Sequence, residues 1–158
     1  MILWRLSGEQ HAHTFDGGYG LLYDGRWNTA GHAVTYCATS PSLCVLEKLV
    51  HVEDPGLLPA LVMVRYDVPD RVGIETITVT ELPEAWELQE SQTQQLGDRW
   101  HVALGAPLLR VPSIIVPLNG SPDMNVLVNH RHPATAGITV IDAESFVLDT
   151  RLFLNNDA

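Results

Sequence analysis

At 158 residues the chain has the length of one domain and can bury a single full core, and 46% hydrophobic against 18% charged residues excludes a disordered protein. A net charge of −10 with a single lysine, Lys48, repels a polyanion over most of the surface, so direct nucleic-acid binding is not expected. The longest apolar runs, such as 60–64 and 114–116, fall well short of the roughly 20 residues of a membrane span, and the opening MILWRLSGEQHAH lacks a secretion-signal pattern; the expected compartment is the cytoplasm.

Residues 2–6 read as a short strand with Arg5 among apolar neighbours. Residues 10–20 read as irregular and end in GGYG, which is no phosphate loop because no strand leads in and no helix follows. An edge over 21–23 and a turn at Asp24-Gly25 precede a loop over 26–31 and a strand over 33–38. Thr39-Ser40-Pro41 predicts a helix start, with Ser40 as N-cap and Pro41 at the first helical position. Leu43, Leu46, Leu49 and Val50 form the apolar stripe expected to face the core. Glu47 lies about 40° round from Leu43, at the margin of that stripe.

Strands are expected over 61–68 and 72–79, and helices over 84–90 and 93–103, the second stopped by Pro107. A strand over 111–117, a loop NGSPDMN, a strand over 126–129, a polar HRHP turn, and segments 138–141 and 146–153 complete the chain. Strands outnumber helices and do not alternate with them, which predicts an α+β domain over 1–154 with a mixed, largely antiparallel sheet. Residues 155–158 are expected to fray.

Cys37 and Cys44 have no metal-ligand spacing and read as small buried hydrophobes. The pairs His11/His13 and His130/His132 have no third ligand, so no metal is expected. Taken singly, Glu47 reads as a boundary carboxylate, Arg26 as a surface arginine, Tyr36 as a packed strand aromatic and Ser113 as a small buried hydroxyl.

Taken together, the pieces WRL, GRWNTAG, VTYCATSPSLCVLEKLVH, LGDRW, LLRVPSIIVP, NVLVNHRHP and FVLDTRLF resemble the RES domain. That family is the toxin half of RES–Xre toxin–antitoxin modules and is named for its arginine, glutamate and serine. By this resemblance Arg26, Tyr36, Glu47 and Ser113 take the places of the family's catalytic set, and Arg5, Asn129 and His132 match further ligand-side positions. Where the family turn often reads Asn-Pro-x-His-Pro, His130 replaces the first proline.

The resemblance implies an ADP-ribosyltransferase-like fold with a cleft for NAD+ as substrate, and an Xre-family antitoxin as partner, with a homodimer inside the antitoxin complex allowed. It implies cleavage of the nicotinamide–ribose bond by hydrolysis or phosphorolysis, which arrests growth. The alternatives are mono-ADP-ribosylation of a host protein at the same site, and a non-catalytic binding module. Side-chain chemistry fits cleavage of the nicotinamide–ribose bond. Glu47 suits an oxocarbenium-like centre or the orientation of an attacking water or phosphate. The Arg26 fork suits a pyrophosphate. Tyr36 offers a flat face for nicotinamide and a hydroxyl for ribose, and Ser113 could bond the ribose or position Glu47.

Overall fold

In the computed structural model, which describes residues 1–153, one seven-stranded sheet forms the frame. Its strands are β1 (Ile2–Gly8), β2 (Val34–Ala38), β3 (Leu61–Asp67), β4 (Ile74–Thr76), β5 (Leu108–Pro112), β6 (Met124–Asn129) and β7 (Thr139–Phe146). They lie in the order β4-β5-β6-β2-β1-β3-β7. Every neighbouring pair is antiparallel except β4 with β5, and four short helices attach: α1 (Glu9–Ala12), α2 (Gly18–Leu22), α3 (Pro41–Leu49) and α4 (Glu90–Ala103). The α+β, largely antiparallel expectation holds.

Period-two alternation splits the core between the two faces of the sheet. On one face Leu3, Cys37, Val62, Val64, Tyr66, Leu108, Val126 and Val128 pack with Ala12 and Phe15. On the other, Val34, Tyr36, Leu109, Val111 and Leu127 pack beneath Trp27, Trp86 and the Leu96–Trp100 stripe of α4. Further along that second face, Ala38 and Met63 lie under Leu43 and Cys44 of α3. The second face therefore carries two helices side by side, α3 toward β1 and α4 toward β5.

Helix α3 begins as its sequence dictates: the Ser40 hydroxyl accepts from the Leu43 amide at 3.2 Å, with Pro41 in the first turn. Its buried face differs from the expected stripe. Leu43 and Cys44 are buried, whereas Leu46 and Val50 are 39% and 60% exposed. The hydrophobic stripe thus turns partly outward, and the i+4 partner of Leu43, which is Glu47, turns in. Periodicity picks out an apolar face, but the sheet packs on Leu43 and Cys44, which cluster with Ala38 and Met63.

Other boundaries moved for local reasons. The stretch read as irregular contains α1 and α2, and 21–23 finishes α2 instead of forming an edge. The strand expected over 72–79 shrinks to Ile74–Thr76, and 84–90 holds only a 3-10 turn, Trp86–Leu88. The strand expected over 111–117 runs earlier, ending at Pro112. A proline at that point has no N–H to extend the ladder, so Ser113 is left just past the strand end. Segments 138–141 and 146–153 are one strand, β7, and a 3-10 turn, Thr150–Phe153. Cys37 and Cys44 are free and buried, their thiols pushed up to about 12 by burial. The tail expected to fray, 155–158, lies outside the described residues.

Candidate active site on the second sheet face

The Glu47 carboxylate is half-buried and points at the ends of two neighbouring strands. Ser113 Oγ, fully buried, donates to Glu47 Oε1 at 2.9 Å, and Asn125 Nδ2 donates to the same oxygen at 2.6 Å. Strands β5 and β6 bring these donors together, because Val111 pairs with Asn125 and Ser113 follows two residues later on the same face. Ser113 is itself fixed, since its oxygen accepts from the Ile115 amide at 3.0 Å. Two donors on Oε1 orient the carboxylate and leave Oε2 without a protein donor among the described residues.

Arg26 lies in a tight turn in which the Gly25 amide donates to the Asn28 carbonyl at 2.8 Å. Its Nη2 donates to the Trp86 carbonyl at 2.6 Å, and Cζ lies 5.5 Å from the Trp86 ring centroid. The Nε–H is buried with no partner. A buried guanidinium donor left open beside an aromatic face is a place where an anionic oxygen would be welcome.

Tyr36 sits between the two. Its ring packs in the tryptophan cluster of the second face, and its hydroxyl is committed to the arginine turn. It accepts from the Trp27 amide at 2.9 Å and donates to Asn28 Oδ1 at 2.8 Å. Burial raises its phenol pKa well above the ordinary value, with Asp98, Glu47 and Glu90 adding to the effect and the Trp27 amide opposing it. The phenol therefore stays neutral. The hydroxyl is occupied by the turn in place of the ribose contact expected of it.

The RES domain model matches residues 2–149. The chain belongs to the RES domain family. Among RES relatives, Toxin Res of Pseudomonas putida is 40% identical over 158 residues, covering 97% of this chain and all of that protein. Toxin Res of Photorhabdus laumondii is 34% identical, over 96% of this chain and 97% of that one. The Prs ADP-ribosylating toxin of Sphingobium is 31% identical, over 94% of each. The fold is also that of a chain in the M. tuberculosis MbcT–MbcA toxin–antitoxin complex, with a TM-score of 0.74 and 15% identity over 92% of this chain and 84% of that chain.

Of the seven positions that the RES resemblance singled out, Arg26, Tyr36, Glu47 and Ser113 come to one face. The other three do not meet that group, although Asn129 shares the face. Arg5 pairs with Val64 and so projects from the opposite face, where it donates to the carbonyls of Thr14 at 2.9 Å and His11 at 2.6 Å and to Ser7 Oγ at 3.2 Å. Asn129 is buried at the far end of β6, pairing with Val34 while Asn125 pairs with Ala38. It donates to the His101 carbonyl at 2.9 Å and accepts from the Arg131 amide. His132 Nδ1 accepts from the Ala134 amide at 3.2 Å and so caps the 3-10 turn Pro133–Gly137. These three hold backbone.

Sequence reading missed Asn125 because it assigned 125 to a loop and began the strand at 126. The signal was available. Alternation places 125, 127 and 129 on one face, and 127 is the partner of Tyr36.

Proposed function

We propose that this RES domain is a toxin that consumes NAD+ by breaking the nicotinamide–ribose bond. The observation that carries the proposal is the Glu47 carboxylate, held through Oε1 by Ser113 and Asn125 with Oε2 left open. As the C1′–N bond breaks, its electron pair passes to the pyridinium nitrogen and discharges it, and positive charge develops on the ribose ring. An oriented carboxylate about 4 Å away, at an effective dielectric of about 20, interacts with that charge by about 4 kcal/mol. If realised only in the transition state, this is roughly a thousandfold in rate. The oxygen of water or phosphate then bonds to C1′ and gives up its proton to Glu47 Oε2, from which it passes to solvent.

Arg26 would take the pyrophosphate through its unpartnered donor, and the Tyr36 ring would lie against the nicotinamide. The antitoxin partner is an Xre-family protein that covers the cleft; the relatives named as toxins and the fold shared with a chain of a toxin–antitoxin complex support such a partner. The chain acts in the cytoplasm, and no helix among the described residues is long and apolar enough to cross a membrane.

Purified protein incubated with NAD+, with and without phosphate, is expected to release free nicotinamide, and Glu47→Gln to slow release by about a thousandfold. Absence of release by the wild type, or equal release by Glu47→Gln, removes the proposal. A second reading is favoured by one relative named as an ADP-ribosylating toxin: the same cleavage with a protein as acceptor. NAD+ labelled in its adenine half separates the two, since label on a protein band supports transfer and label in free ADP-ribose or its phosphate supports degradation.

A further inference from the structure

Helix α4 meets the arginine turn with an uninterrupted polar stripe. Thr93 Oγ1 donates to the Arg26 carbonyl at 2.7 Å, and Gln94 Nε2 donates to the Gly25 carbonyl at 3.0 Å. One turn later, Asp98 accepts from the Thr29 amide at 2.9 Å through Oδ1 and from Thr29 Oγ1 at 2.7 Å through Oδ2. Between them lies Gly97, where any Cβ would overlap the Trp27 carbonyl oxygen. Positions 93, 94, 97 and 98 fall on one side of a helix. From beneath, the Tyr36 hydroxyl holds the Trp27 amide and the Asn28 side chain.

The backbone and hydroxyl groups of residues 25–29 are thus held by side chains of two separate elements. Trp27 and Asn28 of this turn are themselves buried, so the bonds satisfy polar groups that have left water and at the same time fix the path of the chain through Arg26. We propose that Thr93, Gln94, Gly97 and Asp98 are positioning residues for Arg26. They hold its turn so that the guanidinium stays over Trp86 with its buried Nε–H unpaired by the chain, the donor that the phosphates of the dinucleotide would take. The inference rests on the proposed NAD+ reading for the identity of that anion, and on the hydrogen bonds alone for the clamp.

The test uses the full chain with Thr93→Val, Asp98→Asn and the double variant, which keep shape and remove or invert the bonds. Two readouts are taken on each. Amide exchange at Trp27 and Thr29 needs no substrate: the clamp predicts at least tenfold faster exchange in the double variant, with the β6 amides unchanged. Nicotinamide release is followed from NAD+ and from nicotinamide riboside, which has no phosphate. The clamp predicts a KM for NAD+ raised about tenfold and riboside cleavage within twofold of wild type.

Exchange and KM both within twofold of wild type overturn the proposal. So does an equal loss on both substrates together with faster exchange throughout the sheet, which is general destabilisation. If the wild type releases nicotinamide from neither compound, the NAD+ reading fails, and exchange alone decides the clamp by the same tenfold criterion.

Discussion

Two arginines, one on each face of the same sheet, show what separates a structural guanidinium from one with capacity to spare. Arg5 places three N–H···O bonds on nearby oxygens, two of them backbone carbonyls, His11 in α1 and Thr14 in the loop that follows. It closes that loop against β1. Arg26 makes one bond, to the Trp86 carbonyl, stacks on the Trp86 ring, and keeps a buried N–H with no partner. Three of the five donors of the first guanidinium are taken by its own chain. The second is held in place by groups that act on its backbone and leave its Nε–H without a partner.

The largest effect that would sharpen this contrast is on catalysis. Arg26→Gln removes a forked, charged donor, and loss of charge-assisted bonds worth about 1.5–3 kcal/mol corresponds to roughly a 10- to 100-fold fall in kcat/KM for NAD+, mostly in KM. Arg5→Met is expected to leave NAD+ kinetics unchanged and to cost about 1–2 kcal/mol of stability, because its bonds are partly exposed. Steady-state kinetics and urea midpoints on both variants read this directly. A raised KM in Arg5→Met would break the contrast, since it would place substrate on the opposite face.

A smaller effect tests the other end of the site. Asn125→Ala deletes one of two donors to Glu47 Oε1; Ser113 still orients the carboxylate, so kcat should fall about tenfold with KM nearly unchanged. An unchanged kcat would mean that Ser113 alone fixes the acid.

How much of this was legible in the sequence follows from the kind of signal each part leaves. The capped start of α3 and the strand carrying Tyr36 rest on local chemistry, and both stand where the residues place them. The inward turn of Glu47 was hidden, because Leu46 and Val50 make a stronger apolar stripe than the Leu43–Cys44 pair that the sheet accepts. Non-local register was harder still. That Ser113 and Asn125 converge on one oxygen depends on how β5 pairs with β6, and nothing in either segment states it. The opposite facing of Arg5 could have been read from alternation along β1, had the partner strand been known. The clamp on Arg26 required knowing that 93–98 docks on 25–29, a contact across more than sixty residues of chain.

The smallest predicted effect concerns Arg5's own face and its neighbour His130. That imidazole accepts or donates a 2.8 Å bond with Thr35 Oγ1 and meets the Phe15 ring edge-on. Burial chiefly lowers its pKa from 6.5 to about 4, Asp16 opposes the shift, and Arg5 and His101 add to it. The folded state therefore refuses a proton that the unfolded chain accepts between pH 6.5 and about 4. Linkage makes stability constant above that window from this group, falling as pH drops through it, with the loss complete below about 4. Many carboxylates titrate nearby, so the wild type alone cannot report it; the comparison with His130→Asn can. Between pH 7 and 4.5 the urea midpoint of the wild type should fall more than that of His130→Asn. In Arg5→Met a repelling cation is gone, so the folded-state pKa rises and the window narrows from its acidic side. Parallel pH profiles for wild type and His130→Asn would show that the imidazole is hydrated in solution, and the first face would then be less closed than the burial of this ring implies.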